Sequence, residues 1–190
     1  NIKCGDGNST LLRRPISICS VDREKNTFDI VFQIKGTGTR ILSQKKVGDR
    51  LNFIGPLGNS FELSEKYQRI VLVGGGIGIF PLLYLLESKC ALSKTSFLGF
   101  RNKECVVLED EFKRSADKIY VSTDDGSYGH KGIITDLLKN YLEKNAVDII
   151  YACGPTPMMK KVADIALERA IKCQVYLEQR MACGIGACLV

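Results

Sequence analysis

The chain has 190 residues, 45% of them hydrophobic and 25% charged, with five prolines and a formal net charge of +6; no apolar run approaches the roughly 18 residues of a membrane span, so a disordered chain and a helical membrane protein are both excluded. Its Lys and Arg alternate with acids in "DREK", "SEKYQR" and "LEDEFKR" without aromatic interleaving, which argues against a nucleic-acid partner. Cysteines stand at 4, 19, 90, 105, 153, 173, 183 and 188, several within apolar runs typical of lone buried thiols, and the expectation is a cytoplasmic protein, with no membrane partner, rather than a disulfide framework.

From the start to about residue 66 the chain reads as short strands with turn signals: "RPISICSV", "TFDIVFQIK" after "DREKN", and "GDRLNFIG". That rhythm predicts an antiparallel sheet or small barrel. Within it, Arg14 can hold a phosphate with its planar fork, Pro15 stiffens the backbone, and Ser17 is expected on a strand with its hydroxyl toward a flat ring. In "KGTGTR", Gly36, Gly38 and Thr39 are expected to form a backbone nest for a pyrophosphate. Each feature taken singly also fits a hairpin with surface arginines.

After "SEKYQ" the pattern changes to strand, glycine turn and helix: "RIVLVGGGIGIFPLLYLLESK", "TSFLGFR", "KIYVSTDD", "GIITDLLKNYLEK", "VDIIYACGPTPMMKKVADIALERA", "CQVYLE". Apolar strands alternating with helices predict a doubly wound parallel α/β sheet over residues 67–178. Gly74, Gly75, Gly76 and Gly78 sit where a strand runs into a helix, and a backbone free of side chains there can approach a pyrophosphate. A tight turn accounts for the same glycines, and the spacing is not G-x-G-x-x-G. Cys153-Gly154-Pro155 repeats the design at a second strand end, so both turns are expected to face one crevice. Asp124 and Asp125, at a third strand end, can accept hydrogen bonds from a ribose and would repel a 2′-phosphate, or simply make a turn. His130 is the only histidine, which largely excludes a Ser-His-Asp or multi-histidine metal site. A barrel with two phosphate-ready turns followed by a nucleotide domain describes a flavin barrel feeding a nicotinamide domain.

Together "RRPISI", "KGTGTR", "GPLGNSF", "VGGGIGIFPLL", "STDDGSYGHKG", "CGPTPMM" and "MACGIGAC" resemble the electron-transfer subunits of NAD-dependent, B-type dihydroorotate dehydrogenases, within the ferredoxin–NADP reductase superfamily. The likeness runs over essentially the whole chain, with the motifs in family order. It implies that Arg14, Pro15, Ile16, Ser17, Val31, Phe32, Gln33, Gly38 and Thr39 contact FAD, with Val31, Phe32 and Gln33 on the next strand. Gly74, Gly75, Gly76, Gly78, Asp124, Asp125, Gly154 and Pro155 are then the candidates for NAD, and Ser17 and Cys153 for catalytic roles. Cys183 and Cys188, in residues 179–190, match the first two of four ligands to a two-iron, two-sulfur cluster, with zinc as the rival metal for such a pair.

"NIKCGDG" reads like the tail of a barrel strand and the sequence stops just before a third expected cysteine, so the resemblance makes this a barrel incomplete at its start and a cluster segment cut short. It implies a relay in pyrimidine biosynthesis: an FMN-containing catalytic partner, in a heterotetramer, oxidises dihydroorotate, and electrons pass through the cluster and FAD to NAD+. Alternatives are a related NAD(P)H–ferredoxin-type reductase subunit and a non-catalytic NAD-binding module.

Overall fold

The structure, a computed structural model, describes residues 1–5, 10–88, 91–178 and 181–187. Its centre is a six-stranded parallel sheet built from β5 (Arg69–Gly75), β6 (Ser93–Phe100), β7 (Lys118–Thr123), β8 (His130–Lys131), β9 (Ile149–Cys153) and β10 (Lys172–Tyr176), in the order β10-β9-β5-β6-β7-β8. Side chains alternate across the pleat and are apolar on both faces. Ile70 and Leu72 of β5 join one core with α2 (Ile79–Ser88) and Phe112 of α3 (Glu109–Ser115), whereas Val71 and Val73 join the opposite core with α4 (Ile134–Leu142) and α5 (Thr156–Glu168). The sheet is therefore covered on both sides, a doubly wound α/β fold.

Strand order reverses between β5 and β9: the chain proceeds from β5 outward through β6 and β7, then returns to the other side of β5 for β9 and β10. The carboxyl ends at such a reversal splay apart and leave a crevice. Asp148 sets where the two strands begin, because its Oδ2 accepts from the backbone N–H of Gln68 and of Arg69 at 2.9 and 2.8 Å, and its Oδ1 binds the Arg69 guanidinium.

The first 66 residues form two antiparallel ribbons. β1 (Ile2–Lys3) pairs with β4 (Asn52–Phe53), β2 (Ile18–Asp22) pairs with β3 (Thr27–Ile30), and a bridge from Ile2 to Arg14 connects the two. Three sequence expectations are corrected here. Ser17 lies just before β2 rather than on it, and Val31, Phe32 and Gln33 follow the end of β3 in backbone that belongs to no strand. Gly36, Gly38 and Thr39 form no nest; they open a short helix, α1 (Thr37–Ser43), whose start is closed by Thr39. The Thr39 hydroxyl accepts from the N–H groups of Lys35 and Gly36 at 2.9 and 3.2 Å, satisfying donors that a helix start leaves unpaired. The ribbons dock on the sheet through Cys19, buried among the α2 core residues. Among the described residues no helix is long and apolar enough to cross a membrane.

Candidate functional site

Two adjoining depressions collect most of the singled-out residues. The first is a cleft of about 170 Å³ lined by Arg14, Pro15, Ile16, Ser17, Val31, Phe32, Gln33 and Thr39. It exists because the segment before β2 and the segment after β3 run side by side at the same end of their ribbon. Its far wall is supplied by the other half of the molecule: Ile77, Phe80 and Pro81 from the glycine turn and α2, with Glu178 beyond β10. Lys35 adds a second cation beside Arg14. The sequence reading missed these five residues. Ile77, Phe80 and Pro81 lie inside the quoted "GGGIGIFPLL", but only the packing of α2 on β2 reveals that they face this cleft.

Gly38 shows how the Arg14 end of the cleft is built. A Cβ there would stand 2.8 Å from Nε of Arg14 and 3.1 Å from its Cζ, so the absence of a side chain lets the guanidinium lie flat against the start of α1. Arg14 also donates to the carbonyl of Leu12, which aims the fork. A fixed guanidinium against helix N–H groups suits a pyrophosphate, and the wider, apolar part of the cleft suits a flat aromatic ring.

The second depression is the crevice between β5 and β9, where the two glycine turns interlock. A Cβ on Gly78 would overlap the carbonyl of Cys153, one on Gly75 would meet Pro155 and Met158, and one on Gly74 would meet Ile79. Gly154 has φ +152 and its Cβ would fall 2.9 Å from the Gly75 nitrogen. Gly75, Gly78 and Gly154 thus serve close packing of one turn on the other, and Gly74 makes room for the start of α2. Gly76, at φ +54 and with open space above it, is the one that leaves bare backbone toward the crevice. Pro155 caps α5, directing that helix start to the same place.

Cys153 is buried at the end of β9. Burial, augmented by the negative charge of Glu178, pushes its thiol up to about 12, so it stands as a neutral thiol at physiological pH. Asp125 is committed to its own turn: Oδ1 accepts from the N–H and the hydroxyl of Ser127 at 2.9 and 2.6 Å, and these bonds hold its carboxyl below the ordinary range. Asp124 is exposed beside it. Both follow β7, two strands from β5 and hence about 10 Å across the sheet at the usual strand spacing, a separation a dinucleotide spans. His130 is exposed on the edge strand β8.

Cys183 is half-buried in the 181–187 loop, which leans on the start of the chain. The Asn1 side chain reaches the carbonyl of Ala182 at 3.5 Å, and Gly184, at φ +75, is packed against Leu57, Met181 and Asn1. Cys188 lies outside the described residues. Among the described residues no three His, Cys, Asp or Glu side chains converge on a metal position.

Comparison with known proteins places this geometry. The family model for the oxidoreductase NAD-binding domain matches residues 72–164, the span from β5 into α5. The electron transfer subunit of dihydroorotate dehydrogenase B from Desulforamulus reducens is 40% identical over 193 residues, covering 100% of this chain and 73% of that protein. Its counterpart from Fusobacterium nucleatum is 43% identical over 194 residues, covering 99% and 73%. The chain belongs to this family. Among solved structures, an NADH-dependent reduced ferredoxin–NADP oxidoreductase superposes with a TM-score of 0.82 at 36% identity, over 93% of this chain and 64% of that one. A ferredoxin–NADP+ reductase from Plasmodium falciparum does so with 0.66 at 17% identity, over 92% and 81%, a likeness of fold alone. The two ribbons followed by the parallel sheet are thus the ferredoxin–NADP reductase arrangement.

Proposed function

We propose that the chain is the electron-transfer oxidoreductase subunit of an NAD-dependent dihydroorotate dehydrogenase, with FAD in the Arg14–Glu178 cleft and NAD at the β5–β9 crevice. One observation carries this most directly. The segment from Gly74 to Pro81 borders both depressions, since its glycines interlock with Cys153 and Gly154 while Ile77, Phe80 and Pro81 wall the cleft. A flavin ring and a nicotinamide ring would therefore meet across a few residues, as hydride exchange requires. FAD, when bound, supplies the conversion between two-electron exchange with nicotinamide and one-electron exchange with an iron–sulfur centre.

On this reading the residues divide the work. Arg14, Lys35 and the start of α1 hold the pyrophosphate, and Ile16, Val31, Phe32, Gln33 and Phe80 bracket the ring. Ser17 would lie against the flavin ring, the neutral Cys153 thiol would stand buried behind the glycine turns, and Glu178 is a carboxylate of the cleft wall able to position a donor. Gly76, Pro155 and the start of α5 receive the nicotinamide nucleotide, and Asp124 meets its ribose. Residues 1–66 form the flavin unit, 67–178 the nicotinamide unit, and 179–190 begin a cluster segment in which Cys183 and Cys188 provide two of four thiolates. The partner would be an FMN-containing catalytic subunit in a heterotetramer, oxidising dihydroorotate to orotate in the cytoplasm.

The test is reduction of the FAD-loaded chain by NADH and NADPH, followed as loss of flavin absorbance. NADH should be preferred by about tenfold or more in kcat/KM, because Asp124 repels a 2′-phosphate. Failure to bind FAD, or equal use of the two nucleotides, would remove the corresponding assignment. A related ferredoxin-coupled reductase is separated by the partner assay: only the proposed subunit restores NAD+ reduction to a dihydroorotate-oxidising partner.

A further inference from the structure

Tyr151 stands in the middle of β9, wholly buried, and its hydroxyl donates to the carbonyl of Glu62 at 2.8 Å. Nothing in hydride exchange calls for a phenol at that point. Glu62 belongs to the link between the ribbons and the sheet, where residues 59–64 join no strand or helix. Its position must therefore come from other contacts, and these converge from β9 and β10. The Glu62 N–H donates to Oε1 of Gln174 at 2.9 Å, while its carboxylate accepts from Nε2 of Gln174 at 3.2 Å and from Nζ of Lys172 at 3.1 Å. The backbone of one residue is thus gripped on both sides and its side chain on the third.

The grip is transmitted to the site by rings. Phe61 meets Tyr151 edge-on, with centroids 5.2 Å apart, and Tyr176 at a tilt, 5.4 Å apart. Tyr176 pairs in register with Cys153 across β10 and β9, and two residues further on Glu178 lines the cleft that Ser17 lines from the ribbon side. Ser17 and Cys153 come from opposite halves of the molecule, and the end of β10, through Tyr176 and Glu178, borders both Cys153 and the cleft that Ser17 lines.

We propose that Glu62 and Tyr151 form a strap that holds Phe61 under Tyr176 and so fixes Ser17 relative to Cys153 for hydride exchange. Both are positioning residues; neither reaches the cleft. The inference rests on the flavin–nicotinamide reading above. Displacements of about 1 Å at a reacting pair can cost a hundredfold in rate, so a strap that permits even a fraction of that has a visible effect when cut.

The experiment compares Tyr151→Phe, Glu62→Ala and Glu62→Gln in the FAD-loaded chain, each also in a Ser17→Ala background. Tyr151→Phe and Glu62→Ala should slow NADH-to-flavin transfer by about tenfold with KM for NADH within about twofold, as expected for lost positioning rather than lost binding. Glu62→Gln keeps an acceptor for Gln174 and Lys172 and should restore most of the rate. In the Ser17→Ala background, Tyr151→Phe should add under about twofold, because the group it positions is gone. Additive losses, or wild-type transfer rates in both Tyr151→Phe and Glu62→Ala, overturn the proposal. Hydrogen exchange gives a reading independent of cofactor chemistry: Tyr151→Phe should raise exchange at residues 16–19 and 174–178, and unchanged protection there overturns the strap. A wild-type chain that neither binds FAD nor oxidises NADH, yet shows this exchange response, sinks the functional reading and leaves the strap standing.

Discussion

Arg14 and Ser17 are three positions apart and line the same cleft, yet their surroundings give them different tasks. Arg14 lies against Gly38 at the start of α1, with its fork aimed by the Leu12 carbonyl, and so addresses charge. Ser17 lines the cleft beside Ile16, Val31 and Phe32, and on the proposed reading it addresses the ring side. Charge-assisted hydrogen bonds are worth about 1.5–3 kcal/mol, so Arg14→Ala should weaken FAD binding by about 10- to 100-fold in a flavin titration. Ser17→Ala should leave FAD bound and lower the NADH-to-flavin rate instead; equal effects of both variants on binding and rate would abolish the division. "RRPIS" exposed this half of the cleft to sequence reading because the residues are contiguous. Lys35 and Glu178 escaped it, since each is an ordinary charged residue until folding brings it to the cleft. At Asp125 the carboxylate was visible in the sequence, but its hydrogen bonds to Ser127 were not.

At the scale of elements, the sheet was legible and the ribbons only partly so. Continuous apolar runs such as "IVLV" and "DIIYA" have no other stable home than a strand covered on both faces, and the following glycines mark where each must turn. "TFDIVFQIK" has equally strong β propensity, yet β3 stops at Ile30 because Val31 to Lys35 turn away to line the cleft. "KGTGTRILS" is a poor helix by propensity, and the capping by Thr39 overrides it. α3 went unread because "LEDEFKR" resembles solvated charge, although its order was informative: Glu109, Asp110 and Glu111 face the positive end, Lys113 and Arg114 the negative, and Lys113 pairs with Glu109 at 2.7 Å. The start of the sheet offers a pH test. Arg69, followed by the backbone N–H groups of Gln68 and Arg69, holds Asp148 below its ordinary 3.8. A depressed carboxyl contributes stability that is present above the unfolded value and lost as pH falls through the folded one. Wild-type protein should therefore exceed Asp148→Asn in Tm at neutral pH, with the gap closing below pH 3.8; a gap that stays constant across that range would show that the Arg69 pairing is not its source.

For the whole molecule, the proposed sites run from Asp124 at the end of β7, through the β5–β9 crevice, to the flavin cleft on α2, while the loop carrying Cys183 lies on the start of the chain. The loop does not extend the sheet: it turns back and packs against Asn1 and Leu57 of the ribbons. On the proposed reading, this arrangement would separate the two kinds of electron exchange. Nicotinamide chemistry would occur against the glycine turns, and single-electron chemistry on the ribbon side, with the flavin cleft between them. Two thiolates are half of what a two-iron cluster takes, and a direct ligand matters more to the metal than an outer-shell contact, whose loss already costs about 10- to 100-fold in affinity. In the assembled holoenzyme Cys183→Ser should thus abolish the visible absorbance of the cluster. It should leave FAD content and NADH-to-flavin transfer unchanged, because Cys183 contributes to neither the cleft nor the crevice. Electron exchange with the dihydroorotate-oxidising partner should be lost at the same time. Retention of the cluster with unimpaired exchange would remove Cys183 from the ligand set; loss of NADH-to-flavin transfer together with the cluster would show that the two exchanges are not spatially separate.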